Sequence, residues 1–295
     1  MAAKVDFIGR SGAGPREAAD WTRRQEFMTD LRSVRGRAYP RVIGLMREPS
    51  WVLFEILLPF LATSAFVFVY RAIGAPPAYV GFVVLGGALT AFWLNVIWMM
   101  ANQLWWEKSQ GNLELYFAAP MHFMSILFGM ALGGMVMSST RAATVLLISG
   151  TVFGVAFRVD QWALLLAVFV LTLGALYGLG MVLASLFLVW GREAWHMGQM
   201  LTEPVYFVSG LNFPVARLGF LGALSVTFIP LATGLDAMRQ LAFADAAFPL
   251  GTPAPLVEVA ILAVMTVVSI LAARWMLMAM ERRARRDGRL SVRWQ

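Results

Sequence analysis

The chain has 295 residues, of which 59% are hydrophobic and only 14% charged, and its mean hydropathy is +0.69. Soluble domains are about 45–50% apolar and about 25% charged, so both values indicate a protein that resides in lipid. The apolar content excludes a disordered chain. The absence of cysteine excludes a disulfide scaffold, thiolate nucleophiles and iron–sulfur centres.

Most of the formal charge of +7 lies at the two ends of the chain. Residues 1–50 carry ten of the 24 lysines and arginines, and residues 274–295 carry seven more. Because these basic segments flank long apolar runs, we expect no nucleic-acid partner and interpret the charge as a mark of the cytoplasmic side. The first apolar run begins only near Trp51, which is too late for a secretory signal peptide.

Six apolar runs follow, and a helix needs about 20 apolar residues to cross a bilayer. The sequence therefore predicts an all-α membrane protein with six transmembrane helices. Its membrane domain, 51–280, lies between a cytoplasmic N-terminal segment, 1–50, and a basic cytoplasmic tail, 281–295. The predicted spans are Trp51–Arg71, Tyr79–Trp106, Met121–Phe157, Gln161–Trp190, Gly198–Leu211 and Pro255–Met280.

Two of these runs are unusual. Met121–Phe157 is too long for one perpendicular crossing; we expect one tilted or bent helix, the alternative being two crossings that turn near Ser138–Arg141. Gly198–Leu211 is short, and residues 212–254 after it are irregular but too apolar for a solvated loop. We expect a pair of short re-entrant outer helices there, because irregular backbone is tolerated at membrane depth only where protein covers it.

The distribution of lysine and arginine tests this topology. With both termini in the cytoplasm, nineteen cations lie inside and four lie outside, with Arg141 left in the membrane. Such an asymmetry favours an even number of spans. We therefore expect a multi-pass protein of the cytoplasmic (inner) membrane. The four outer cations would be Arg71, Arg158, Arg217 and Arg239.

The segment Trp21–Arg47, ahead of the first span, alternates apolar residues with arginines. This pattern predicts an amphipathic helix on the inner leaflet with its arginines toward anionic headgroups, the alternative being a solvated basic helix. Pro40 is expected to break or bend the helix.

The loop after the second span carries the most informative motif. Between Gly111 and Pro120, residues 112–118 can form one or two helical turns. A plain turn would not need apolar side chains in contact with water, so this ridge predicts a partner surface. Its apolar side chains are Leu113, Leu115, Tyr116 and Phe117.

In this loop the chain resembles the membrane subunits of ATP-binding-cassette exporters of the type-2 (ABC-2) permease family. The family has an acidic–basic pair, a glycine, a small polar residue, Leu-Glu and a proline, matched by Glu107-Lys108, Gly111-Asn112-Leu113-Glu114 and Pro120. A second match lies after the fifth span, where the family has re-entrant helices. It consists of Ser209-Gly210, Phe213-Pro214, Pro230 and Asp236-Ala237-Met238-Arg239. This chain departs from the family at Gly219-Phe220, where the family often has Leu-Pro. The resemblance covers about residues 25–280.

The resemblance implies a transport function. The loop helix would be a coupling helix that docks on a separate nucleotide-binding ATPase subunit, and Trp21–Arg47 would be the connecting helix beside it. Two permease subunits, expected to form a homodimer, would enclose the route, and two ATPase subunits would carry ATP and Mg²⁺. The residues coupled to the ATPase would be Glu107, Lys108, Gly111, Asn112, Leu113, Glu114, Tyr116 and Phe117.

The sequence shows no motif for ATP hydrolysis. It contains no Gly-x-x-x-x-Gly-Lys-[Ser/Thr] motif, so we expect neither an ATPase site nor a cofactor in this chain. The two histidines, His122 and His196, have no partner histidine at metal-ligand spacing, so we expect no metal site and no enzyme chemistry.

The second span offers a route for a substrate. Asn95 and Asn102 share one helical face, and amides in hydrocarbon are costly unless they face protein or a wet cavity. We interpret them as lining the interface between two subunits, with plain interhelical hydrogen bonds as an equal alternative. The acid Glu203 at the start of the fifth span would suit cationic substrates, although a salt bridge accounts for it as well. The full predicted route is Phe92, Trp93, Asn95, Trp98, Met99, Asn102 and Glu203.

Three other ionisable groups lie at or near membrane depth. Helix dipoles suffice for Glu55 and Glu258, which lie near helix starts. Arg141 needs an acid or carbonyls on a neighbouring helix, and the sequence does not identify which.

Two functions compete. The first is the permease of an ATP-driven exporter, and the second is a secondary transporter or channel without an ATPase. No internal duplication is evident between residues 51–157 and 161–280, which favours the first. A subunit with only an assembly role is a third possibility. The substrate class is open among drug-like, lipidic or amphipathic compounds and polysaccharides.

Overall fold

The structure, a computed structural model, describes residues 15–47, 49–112, 115–116, 122–190, 193–243 and 253–286. Over these residues the chain is helical, with no strand and one isolated bridge between Arg158 and Phe243. A π-helix (Asn95–Ala101) joins α3 to α4, and a 3₁₀ turn (Val215–Leu218) precedes α8. The α-helices are α1 (Pro15–Met46), α2 (Pro49–Ala72), α3 (Ala78–Leu94), α4 (Gln103–Ser109), α5 (Phe123–Phe153), α6 (Trp162–Trp190), α7 (Glu193–Val208), α8 (Phe220–Phe228), α9 (Pro230–Ala242) and α10 (Pro255–Arg286).

Five helices are long and apolar enough to cross a membrane, which indicates a multi-pass helical membrane protein. Each coincides with a span that the sequence predicts. The third is one unbroken helix of 31 residues, so the alternative of two crossings with a turn near Ser138–Arg141 is wrong. The five are Val52–Ala72, Ala78–Ser109, Phe123–Phe153, Trp162–Phe187 and Pro255–Met280.

The predicted fifth span is not confirmed as a crossing helix. Residues 198–208 of it belong to α7, which is 16 residues long and therefore reaches about 24 Å, short of a hydrocarbon core of about 30 Å. After α7 the chain turns at Gly210, whose φ of +62° is rarely adopted by L residues. The described helices are long and apolar enough for a sixth crossing only if α8 and α9 together form one bent span.

Helices α8 and α9 are the pair of short helices that the sequence predicts after the fifth span. They are bent by 100° relative to each other, the geometry of a broken span or a re-entrant loop. Pro230 starts α9. Proline suits the first position of a helix because a backbone N–H there would make no hydrogen bond within the helix.

The second span is the central helix of the chain. In its most apolar stretch 83% of the residues are buried, against 22% for α2 and 17% for α10. It packs against α2, α5 and α6. Helices α2 and α10 consequently present most of their apolar surface outward, to lipid or to another subunit.

Helix α1 packs along α5. A Cβ placed on Gly129 of α5 would lie 2.6 Å from the Val34 carbonyl oxygen, so the close approach of the two helices depends on glycine. The helix continues through Pro40, which therefore does not break it. Its exposed face carries Phe27 and Leu31, whereas Arg37 and Arg41 lie on the partly buried side that faces the protein.

Candidate functional site

Glu107, near the cytoplasmic end predicted for the second span, is the centre of a polar cluster. It is only 4% exposed, and both of its carboxylate oxygens accept hydrogen bonds. Gln103 Nε2 donates to Oε1 (2.8 Å), whereas Asn112 Nδ2 and the Tyr116 hydroxyl donate to Oε2 (3.0 and 2.8 Å). Arg37 of α1 completes the cluster with an ion pair to Oε1. One carboxylate thus joins the span, the loop after it and α1.

Arg37 also contacts the loop through an aromatic ring. Its guanidinium lies 5.0 Å from the centroid of the Tyr116 ring, within the range of a cation–π interaction. Burial, together with the hydrogen bond to Glu107, raises the pKa of the Tyr116 phenol to about 12. The phenol is therefore protonated at neutral pH and remains a hydrogen-bond donor to Glu107.

Arg41, one turn further along α1, binds the membrane domain. Its Nη1 donates to the Met130 carbonyl of α5 (3.2 Å), and its Nη2 donates to Gln103 Oε1 (3.1 Å) and to the Met99 carbonyl. Met99 lies in the π-helix, a conformation that often occurs at functional sites. Arg41 therefore ties α1 to both the second and the third span.

These contacts correct one prediction. The sequence pattern places the arginines of this helix toward lipid headgroups, but Arg37 and Arg41 face the protein instead. The physical reason is that a buried carboxylate and backbone carbonyls offer the two guanidiniums charge-assisted hydrogen bonds.

Asp30 of α1 holds the other end of the loop. The His122 backbone N–H donates to Oδ1 (2.9 Å), and the His122 ring Nδ1 lies 2.7 Å from Oδ2. Partial burial acts to raise the pKa of Asp30, but the hydrogen bonds with His122 outweigh it, and the pKa lies below its usual 3.8. Asp30 is therefore a carboxylate at neutral pH, and it contacts the residue that precedes α5.

Between these anchors the loop presents an exposed surface, the docking ledge, defined here as Ser109–Asn112 with Leu115 and Tyr116. Leu115 is 67% exposed, and Gly111, with φ +76°, makes the turn before it. Asn112, Leu115 and Tyr116 have helical backbone. The apolar side chain of Leu115 thus lies on the surface, beside the cluster that anchors the loop. The coupling residues Leu113, Glu114 and Phe117, and Pro120 of the motif, lie outside the described residues.

The residues predicted to form the substrate route lie mostly inside the chain. Its own helices cover them, so in this conformation the most buried of them cannot line an interface between subunits. The buried residues are Phe92, Trp93, Asn95 and Asn102, each at most 2% exposed; Trp98 and Met99 are half-buried, and Glu203 is exposed.

The two amides of the second span find partners within the chain. Asn95 Oδ1 accepts a hydrogen bond from the Tyr177 hydroxyl of α6 (3.0 Å). Asn102 Nδ2 donates to the Ile97 carbonyl of its own span (2.9 Å). Hydrogen bonding between helices, the alternative that the sequence left open, therefore accounts for Asn95. Asn102 bonds within its own span, and its buried Oδ1 accepts no hydrogen bond from the described residues.

Arg141 forms an ion pair with Glu55 of α2. Their side chains are 7% and 16% exposed, so both charges are largely withdrawn from solvent. Glu55 is therefore held by a cation on α5, and a helix dipole is not needed to explain it. The pair links α2, most of whose surface faces outward, to the interior of the chain.

Arg239 joins the two halves of the second motif. Its Nη1 donates to the Gly210 and Phe213 carbonyls (2.7 and 3.3 Å), and its Nη2 donates to the carbonyls of Leu211 and Phe82 (2.8 and 3.0 Å). It is 1% exposed and lies 4.4 Å from the centroid of the Phe82 ring. Arg239 is thus a buried anchor for the turn after α7 and not a cation in contact with solvent.

The remaining residues of this region lie at turns and helix contacts. Asp236 accepts a hydrogen bond from Gln240 Nε2 (3.0 Å), which also donates to Glu258 of α10 (3.2 Å), so α9 is joined to α10. Pro214 precedes the 3₁₀ turn, and Pro230 begins α9.

Sequence reasoning missed the roles of Asp30, Gln103 and Tyr177. A signal for the first was present, because Asp30, Arg37 and Arg41 are spaced at i, i+7 and i+11 and so share one face of α1. Nothing comparable distinguishes Tyr177 from the other aromatic residues of the apolar runs.

The sequence matches none of the protein-family models and none of the curated proteins with which it was compared. Within the described ranges, no three His, Asp or Glu side chains lie together as a metal ion would require. What the described residues do offer is a mechanical connection from an exposed ledge, through one buried carboxylate, to α1 and two spans.

Proposed function

We propose that the chain is the permease subunit of an ATP-driven ABC exporter of the ABC-2 type. It would pair with a second copy of itself and with two nucleotide-binding ATPase subunits, which hold the ATP and Mg²⁺. In this proposal the chain lies in the cytoplasmic membrane with both termini inside and catalyses no reaction. Its cargo would be a drug-like, lipidic or amphipathic compound or a polysaccharide.

The observation that carries the proposal is the anchoring of the docking ledge. Its Asn112 and Tyr116 are bound to a carboxylate that is 4% exposed, while Leu115 beside them is 67% exposed. A loop that merely connects two spans needs neither a buried ionic anchor nor an exposed leucine. A surface that receives force from a partner needs both.

The contacts of α1 provide a path for that force. Asp30, Arg37 and Arg41 bind, in order, the start of α5, the docking ledge cluster and the carbonyls of two spans. Helix α1 also packs closely on α5 at Gly129. A displacement of the ledge would therefore move α1 and the second and third spans together.

The route for the cargo would open between two copies of the chain. The face of the second span that carries Asn95 and Asn102 is covered by the chain's own helices, which leaves the outward faces of α2 and α10 as candidates for the subunit contact. Glu203 and the half-buried Trp98 remain candidates for contact with the cargo.

One observation favours the alternative of a secondary transporter or channel. The ion pair of Arg141 and Glu55 lies within the membrane-spanning helices, and the Tyr177 hydroxyl binds Asn95 there as well. Buried ionisable residues within spans often mark proton or ion pathways. This alternative predicts transport without an ATPase.

Co-expression with each ABC-type ATPase subunit of the source organism tests the proposal. We expect one of them to co-purify with the tagged chain and to hydrolyse ATP faster when bound to it. Leu115→Asp should abolish co-purification, because a charge on the ledge opposes apolar docking. The matched control is Gln161→Asp, which places the same charge on an exposed site at the other end of the helices.

The proposal fails if no ATPase subunit associates, or if Leu115→Asp binds the ATPase as well as Gln161→Asp does. Transport by the purified chain alone in vesicles, driven by an ion gradient, would establish the alternative.

A further inference from the structure

A cavity of about 710 Å³ lies at the end of the membrane helices opposite the docking ledge. It lies at the start of the second span, Ala78–Ser109, whereas Glu107 lies near the end of that span. A helix of this length separates its ends by about 45 Å. The cavity is bounded by the ends of α2 and α5, the start of α3 and the bridge between Arg158 and Phe243.

The cavity has a mixed lining, and its aromatic walls are held by the core. Phe153 and Phe243 both line it and are both only 8% exposed, and the Phe243 ring stacks on Phe82 with centroids 6.0 Å apart. A Cβ on Gly81 would lie 2.4 Å from the Phe243 ring, so glycine at this position makes room for that wall. The volume is within the range of about 300–1,000 Å³ that is usual for ligand sites.

Two arginines belong to the lining of the cavity. Arg71 and Arg158 line it, and no acidic side chain is among its described lining residues. Arg71 Nη2 donates to the Phe153 carbonyl (2.9 Å), and its guanidinium lies 5.5 Å from the Phe153 ring centroid. These contacts orient the Arg71 guanidinium. The bond to Phe153 uses one of its five N–H donors. The backbone N–H of Arg158 donates to the Ala242 carbonyl (3.0 Å), which fixes that residue at the wall.

We propose that this cavity binds an anionic phospholipid, with the phosphate on Arg71 and Arg158 and the first carbons of the lipid against Phe153 and Phe243. Guanidinium groups suit phosphate because their planar donors match its oxygens. The ends of membrane spans lie at the depth of the headgroups, and the apolar walls would be of no use to a free phosphate ion. This inference does not depend on the proposed function, because it requires neither an ATPase nor a cargo.

Thermal unfolding of the purified chain in a neutral detergent tests the inference. Phosphatidylglycerol should raise the melting temperature and stay bound in native mass spectrometry, whereas phosphatidylcholine and inorganic phosphate should do neither. Arg71→Gln and Arg158→Gln should each weaken the apparent affinity for phosphatidylglycerol about tenfold, the effect of losing one charge-assisted contact. The matched control is Arg217→Gln, an exposed arginine that does not line the cavity, which should bind as the unmodified chain does.

A second variant keeps the test independent of the arginines. Ala156→Trp would fill part of the cavity while leaving both cations in place, and it should also lower the affinity for phosphatidylglycerol. Equal binding by Arg71→Gln, Ala156→Trp and Arg217→Gln would overturn the inference. If inorganic phosphate raised the melting temperature as much as phosphatidylglycerol does, the inference would also be overturned, because the site would then bind the phosphate group without needing the acyl chains.

Discussion

Arg37 and Glu107, which lie 70 positions apart in the chain, form an ion pair where α1 crosses the end of the second span. The Glu107 side chain is 5% exposed and that of Arg37 is 29% exposed, so the acid is the more deeply buried partner. The same acid accepts hydrogen bonds from the loop that carries the docking ledge. The position of the ledge therefore depends on a contact with a helix that is remote in sequence.

Replacing Glu107 tests this dependence. Glu107→Gln should destabilise the chain by about 1.5–3 kcal/mol, the range for hydrogen bonds to charged groups, because Arg37 loses its acid. The melting temperature of the purified protein measures the loss, and in the proposed complex with an ATPase subunit the stimulation of ATP hydrolysis should fall with it. Arg37→Gln should behave similarly. Arg35→Gln, on the exposed face of the same helix, is the control and should change neither quantity.

The contact of Asp30 with His122 predicts a pH dependence. Because the pKa of Asp30 is lower in the folded chain than its usual 3.8, its contribution to stability is complete above that value and is lost as the pH falls through the lower one. The contribution should be about 1 kcal/mol or less, because the histidine is exposed. Melting temperatures of the unmodified chain and of Asp30→Asn should therefore differ at pH 6, and the difference should shrink as the pH falls below 3.8. A constant difference over this range would contradict the assignment.

The pair of Arg141 and Glu55 predicts a non-additive double mutant. Removing one buried partner leaves an uncompensated charge, so Arg141→Met alone should cost about 3–5 kcal/mol. Glu55→Leu combined with Arg141→Met should recover most of that loss, because an apolar pair of similar volume suits the membrane interior. Detergent-solubilised melting temperatures of the two single variants and the double variant give the coupling. Additive losses would mean that the two side chains do not interact.

Arg239 should be among the least replaceable residues of the chain. Its guanidinium satisfies four backbone carbonyls, so Arg239→Ala should leave buried acceptors unpaired, at a cost of about 1–3 kcal/mol for each acceptor that water cannot reach. The yield of monodisperse protein after purification should fall sharply. Arg217→Ala, in the neighbouring 3₁₀ turn, is exposed and should express normally. Arg239→Lys should fall between the two, because an ammonium has three donors instead of five.

Local sequence features predicted much of the architecture. Apolar length alone located the five helices that are long enough to cross a membrane, and the irregular but apolar stretch 212–254 predicted the pair of short helices. The exposed ledge could be located too, because apolar side chains follow Gly111 and precede Pro120 in a loop that should meet water. The fifth span is not confirmed for a local reason, since a helix of 16 residues is just shorter than the minimum of about 17 residues for a crossing.

Local sequence did not predict in the same way whether a given helix face contacts lipid, the protein interior or a second subunit. In a membrane protein an apolar face suits lipid, the protein interior and a second subunit equally, so periodicity could not show that Phe92, Trp93 and the two amides point into the chain's own core. Nor could it show that Arg37 and Arg41 turn away from the headgroups.

The sequence by itself determined the helical class, the membrane setting and the place of the ledge, because each depends on residues that are close together in the chain. Only the tertiary structure decided the partners of the buried charges: Arg37 with Glu107, Arg141 with Glu55, and Arg239 with the carbonyls after α7. A charge in a low-dielectric interior must find a partner wherever the packing of the helices places one. That placement depends on how helices remote in sequence come together, which no local pattern encodes.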